Sequence, residues 1–231
     1  MNIMKAMLKD IAGVLFPELC LSCSKNHKSH VSLFCTNCLA AFPFTDHFDI
    51  KQNPVTLHLA GRVAIEHGAA LLTFRKGGIV QRIIHQLKYQ GRYEIGDALG
   101  KMAAVRYQQS SIFKQPDIII PVPVHPKKIK VRGYNQSAVL GKSVGRYLGV
   151  ECNDEILIKI KETESQTGKS RTERVENVAN GFTLTKPGLI ENKHVLVVDD
   201  VITTGATLEA CCHCMYDAGA SKISVLCLAV P

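Results

Sequence analysis

The stretch His194-Val-Leu-Val-Val-Asp-Asp-Val-Ile-Thr-Thr-Gly-Ala-Thr-Leu208 constrains the fold of this chain more than any other. Val195 to Val198 is a run of apolar, mostly β-branched residues, the pattern of a strand covered on both faces, as in parallel sheets flanked by helices. The run stops at two acids, Asp199 and Asp200, which such a strand presents at its rim. Thr203, Thr204, Gly205, Ala206 and Thr207 come next, and a helix is predicted over Leu208 to Ala218. Small residues let consecutive backbone N–H groups curl around an anion, hydroxyls add donors, and a helix N-terminus adds partial positive charge. The loop therefore reads as a phosphate cradle beside a pair of hydroxyl acceptors. The simpler alternative is a strand-turn-helix whose Asp and Thr only cap the helix, but a cap does not need two acids, three threonines and a glycine together.

A ribose phosphate carries a phosphate and a vicinal diol at that separation. The segment closely resembles the phosphoribosyl pyrophosphate (PRPP) motif of type I phosphoribosyltransferases. The resemblance implies Asp199 and Asp200 as catalytic residues on the ribose hydroxyls, often through Mg²⁺, with Thr203, Thr204, Gly205, Ala206 and Thr207 around the terminal phosphate. It also implies the reaction, displacement of pyrophosphate from the anomeric carbon by an incoming nucleophile. No general base is readable, because the acceptor is not encoded in these motifs.

Nearer the N-terminus, Cys20-Leu-Ser-Cys23 and Cys35-Thr-Asn-Cys38 form two C-x-x-C pairs separated by eleven residues. Two such knuckles complete the closed tetrahedral shell that structural zinc prefers. A redox C-x-x-C pair or free core thiols are the alternatives. His27 and His30 lie between the pairs, but four cysteines already saturate a zinc ion, and a closed shell leaves no position for substrate. The zinc is expected to be structural. Cys152, Cys211, Cys212, Cys214 and Cys227 lack this spacing and read as small core residues.

Residues 1–45 are thus read as an N-terminal helix and zinc-binding module, 46–66 as a connector with a turn at Asn53-Pro54, and 67–231 as the main domain. Met1 to Phe16 places Lys5, Lys9 and Asp10 among apolar residues at helical spacing, an amphipathic helix rather than a signal peptide. Within the main domain, strands are expected over Ala69 to Phe74, from Asp117, over Glu155 to Lys159 and over Ile223 to Val230. Helices are expected over Ile79 to Tyr89, over Tyr93 to Gln108 and from about Gln136 to Leu148. This alternation argues for a parallel α/β sheet with right-handed crossovers.

Leu72 to Gly100, with Ile84-His-Gln-Leu-Lys-Tyr-Gln-Gly-Arg92 inside it, and the twin knuckles after Leu15-Phe-Pro17 resemble the ComF family of bacterial competence proteins. The expected architecture is a type I phosphoribosyltransferase-like parallel sheet flanked by helices, with a small four-cysteine module. In Asp117-Ile-Ile-Ile-Pro-Val-Pro-Val-His-Pro126 a buried strand runs into a proline-stiffened turn. Matched to the family pattern, Val122, Pro123, Val124 and His125 form the pyrophosphate loop, with Arg132, Asn135 and Gln136 near it. Lys161 to Arg174, polar and free of large apolar residues, resembles the loop that folds over the reacting centre, with Gln166 and Arg174 as its candidate contacts. An ordinary solvated linker is the alternative there; for Lys88 and Arg92 the resemblance favours a functional edge, with a solvated face as the alternative.

The net charge of +8 attracts polyanions, and the cluster Lys127, Lys128, Lys130 and Arg132 is where DNA would bind. Single-strand binders also need aromatic platforms, and only 6% of residues are aromatic, none of them tryptophan. No apolar run approaches the roughly 20 residues that span a bilayer, and a cytoplasmic location is expected. Two functions follow: a phosphoribosyltransferase acting in natural competence, or a catalytically silent PRPP- or nucleotide-binding protein that engages single-stranded DNA and the competence machinery.

Overall fold

Strand β5 (His194–Val201) lies inside a parallel sheet, between β6 (Lys222–Val230) and β2 (Ile118–Pro121), with β1 (His67–Thr73) on the far side of β6. The computed structural model describes residues 19–27, 33–160 and 181–231. The predicted helix over Met1 to Phe16 and the predicted closing loop, with Gln166 and Arg174, lie outside the described residues. The apolar run of β5 is buried throughout, and its two sides feed two cores.

Leu196 and Val198 face the core under helices α3 (Ile79–Tyr89), α4 (Tyr93–Gln109) and α6 (Gln136–Leu148). Val195 and Val197 face the core formed with helix α2 (Pro54–Leu59) and helix α7 (Ala206–Asp217). Helix α3 forms because Val80, Ile83, Ile84 and Leu87 recur at helical spacing and are all buried. Helices α4 and α6 pack backbone to backbone: a Cβ on Gly100 would lie 2.6 Å from that of Ser143, and one on Gly96 would lie 2.9 Å from Val139 Cγ1.

The elements depart from the sequence expectation at several points. β5 runs on through both acids to Val201, because Asp199 and Val201 still pair with Cys227 and Ala229 of β6. Helix α7 starts at Ala206, two residues earlier than predicted, directly after Gly205 turns left-handed at φ 77°. The basic run Pro126–Arg132, expected as a turn, is helix α5, with Pro126 at its first position and the His125 ring capping it. Finally β3 (Leu157–Lys159) leaves the parallel sheet and pairs antiparallel with β4 (Phe182–Leu184).

The segment 46–66, read as a connector, also carries structure. Asn53 caps α2 through a capping box with Thr56. Phe34 and Phe42 flank helix α1 (Thr36–Ala40) of the cysteine-rich module and join the core under α3 and α4, with ring centroids 5.0 Å apart. Pro43 and Thr45 then hydrogen-bond to β1, so the module is continuous with the domain. Among the described residues, no helix is long and apolar enough to cross a membrane.

Candidate functional site

At the carboxyl edge of the sheet, the alternation of β5 divides the two acids. Asp200 continues the side of Leu196 and Val198 and meets Lys88 of α3, Oδ2 to Nζ 2.8 Å. Asp199 continues the other side, where Cys211 of α7 and Lys159 of β3 lie in its electrostatic field. Its Oδ1 accepts a hydrogen bond from Ser137 Oγ at 3.0 Å and from the Asp200 N–H at 2.8 Å. Burial, followed by the neighbouring charge of Asp200, pushes the Asp199 carboxyl up to about 7, against the pull of those two hydrogen bonds and of Lys88.

The turn after β5 is built for close backbone approach. Ile202 is buried and donates its N–H to Ala229 O, while Thr203 is exposed. No acceptor among the described residues takes the N–H of Thr203, Thr204 or Gly205, and Thr207 sits in the first turn of α7, where N–H groups lack an intrahelical partner. Thr204 Oγ1 accepts from the Ala206 N–H at 3.4 Å. Gly205 is required twice over: its φ is 77°, and a Cβ there would lie 3.2 Å from His58 O and 3.3 Å from Arg62 Nη1. Arg62 braces the turn from behind, donating to the carbonyls of Thr204 and His58 and pairing with Glu209.

The second turn, after β2, is tied to the first by the sheet. The Val122 N–H donates to Val198 O at 2.8 Å, and Asn135 Nδ2 donates to Val122 O at 3.0 Å. Pro123, Val124 and His125 are half-buried beyond it. Arg132 donates to Gln136 Oε1 and lies over the Tyr89 ring, 5.2 Å from the centroid. The predicted pyrophosphate turn and the predicted phosphate turn thus end adjacent strands, with Asn135 and Ser137 bridging them from the start of α6.

Sequence reasoning left one contributor open and missed two. Lys88 reads either as part of a functional edge or as a solvated residue, and only 21% of its side chain is exposed, paired with Asp200. Tyr89, beside it, carries Arg132. Arg62 falls in the supposed connector. The one available signal was the amphipathicity of α3, whose buried face fixes where Lys88 and Tyr89 emerge.

The four cysteines converge: their Sγ atoms all lie within 4.8 Å of one another, and Cys23 and Cys35 are 3.8 Å apart. A tetrahedral ion with arms of about 2.3 Å needs edges of about 3.8 Å, so the set fits zinc. Burial opposes ionisation of Cys20, but the N–H groups of Cys35, Cys23 and Ser22 prevail and lower its thiol to about 6. His27 is outside this set, and His30 is outside the described residues. The acids differ: among the described residues they are joined by no third metal-ligating side chain. They fit magnesium only as it usually binds, through one or two carboxylates with most of its shell supplied by substrate phosphates and water.

In open α/β sheets ligands bind at this edge, and the acids, the glycine turn and the second turn place the chain among phosphoribosyltransferase-like domains. The sequence profile described as phosphoribosyl transferase domain matches residues 89–230, and the chain belongs to that family, with ComF-type competence proteins among its relatives. It is 28% identical to Competence protein F of Haemophilus influenzae over 215 residues, 89% of this chain and 94% of that one. It is 32% identical to the DNA utilization protein YhgH of Escherichia coli K12 over 149 residues, 63% of this chain and 65% of that one, so the match spans less than two thirds of that relative. Among solved structures, the glutamine PRPP amidotransferase from B. subtilis, complexed with ADP and GMP, aligns with a TM-score of 0.41 and 21% identity over 62% of this chain and 30% of that one.

Proposed function

We propose that this chain binds PRPP or a close ribose-phosphate relative and transfers the phosphoribosyl group to a nucleophile. The observation that carries this reading is the left-handed Gly205 turn, whose N–H groups find no acceptor among the described residues, immediately beyond Asp199 and Asp200. Thr203, Thr204, Gly205, Ala206 and Thr207 would hold the 5′-phosphate through backbone N–H groups and hydroxyls. Asp199 and Asp200 would accept the ribose hydroxyls. The turn Val122 to His125, braced by Asn135, would receive the pyrophosphate, with Arg132 beside it to balance charge as that group leaves. Magnesium bound with the substrate would neutralise the pyrophosphate oxygens. Asp200, at the sheet edge beside Lys88, is placed to support positive charge on the ribose ring in the transition state.

The deciding experiment is pyrophosphate release from PRPP over a panel of bases, with calorimetry of PRPP in magnesium. Binding that persists unchanged when both acids are replaced by asparagine would refute the sugar-binding assignment.

A second reading is favoured by one surface. Tyr89 and Tyr93 are each 59% exposed, Arg92 precedes Tyr93 in the chain, and Arg132 from the basic helix α5 lies over the Tyr89 ring, a combination of rings and cations suited to single-stranded nucleic acid. The relatives' names, competence protein and DNA utilization protein, support a role in DNA uptake, in which competence-machinery proteins would be the partners. Charge reversal at Lys127, Lys128 and Lys130 should then flatten the salt dependence of DNA affinity. An unaltered slope would place the contact elsewhere.

A further inference from the structure

Lys88 occupies an unusual position for a lysine. Its stem rises from the last turn of α3, where Val80, Ile83, Ile84 and Leu87 pin the helix to the core, and its ammonium is withdrawn from water onto Asp200. A lysine at a helix end ordinarily remains solvated, because holding its long chain in one place costs rotamer entropy and hydration. Here both neighbouring residues are held as well. The Leu87 carbonyl accepts from Tyr134 Oη, and the Tyr89 ring lies under Arg132. The result is a fixed cation facing one acid of the proposed ribose site.

We propose that Lys88 is a positioning residue for the ribose, a built-in counter-charge that lets the acid pair accept a sugar diol without a divalent cation. In the free protein its ammonium donates to Asp200. When a ribose phosphate enters, one hydroxyl inserts at this ion pair, accepting from Lys88 and donating to Asp200, so both charged groups keep a partner. This rests on the ribose-phosphate reading above and adds to it a prediction about metal dependence.

The test is titration calorimetry with ribose 5-phosphate, which has no pyrophosphate to bring magnesium in, performed in chelator and again in excess magnesium. The wild-type protein should bind in both conditions with similar affinity. Lys88→Met should lose roughly ten- to hundredfold in chelator, the value of a charge-assisted hydrogen bond, and recover most of it in magnesium, which can take the vacated place on Asp200. Lys88→Arg, which keeps the charge, should lie between them, and a melting temperature for each variant that matches wild type confirms that both fold. Equal affinity of wild type and Lys88→Met in chelator would overturn the proposal. So would an equal loss with and without magnesium, which would mark Lys88 as a merely structural residue. If wild type binds ribose 5-phosphate in neither condition, the ribose-phosphate reading itself fails.

Discussion

The guanidinium of Arg62 donates to the carbonyl of Thr204, a residue 142 positions further along the chain, and its other amino group pairs with Glu209 on α7. The same segment is fastened again by His213 Nε2 on Arg62 O at 3.1 Å and by Tyr216 Oη, which donates to Ala64 O at 3.0 Å. One planar side chain thus fixes both the turn and the helix that follows it. Arg62→Ala should cost about 1–3 kcal/mol of stability and lower the affinity for inorganic phosphate, measured by thermal melting and calorimetry. Arg62→Lys keeps the charge but cannot reach both partners at once, so it should recover only part of the loss.

Replacing Gly205 by alanine tests the turn itself. The left-handed backbone costs an L-residue about 1–2 kcal/mol, and the added methyl meets His58 O and Leu59 Cδ2 at distances near 3.2–3.3 Å. Denaturant unfolding of Gly205→Ala should show a loss of about 2 kcal/mol, with phosphate binding weakened further.

Acid titration should separate Asp199 from the histidines. Its carboxyl is raised from 3.8 to about 7, so between those values the folded protein holds more protons than the unfolded chain, and this group's contribution to stability is lost as pH rises. His47, His67 and His194 work in the opposite direction: burial lowers each, so stability falls as pH drops below about 6.5. The Asp199→Asn difference from wild type isolates the first effect. It should favour the variant increasingly from pH 4 to pH 7, and a flat difference would contradict the burial of the charge.

Protein purified without added metal should contain about one zinc per chain by elemental analysis. Cys20→Ser or Cys38→Ser should release it and lower the melting temperature, because Cys20 and Cys38 lie in the same core as Phe34 and Phe42. Zinc content below a trace would dismiss the metal.

The apolar stripe of β5 and the buried face of α3 are legible because solvent exclusion alone dictates them. The end of β5 is not, since Asp199 pairs its backbone with Cys227 whatever its side chain does. Helices α2 and α5 were hidden by a shared cue: Pro54 and Pro126 read as turn residues, yet each stands at the first position of a helix behind a capping side chain, Asn53 or His125. The acids and the glycine turn could be located by spacing. Their supports, Lys88 and Arg62, could not, because a contact across the whole chain leaves no periodic trace in the amino-acid order.

Three successive residues close α3, and each grips something different: Leu87 the hydroxyl of Tyr134, Lys88 the carboxylate of Asp200, Tyr89 the guanidinium of Arg132. The helix end therefore works as a yoke between the edge that would take the sugar and the segment beside the departing diphosphate. A ligand spanning the proposed ribose and pyrophosphate positions would therefore meet the same turn of helix at both of its ends.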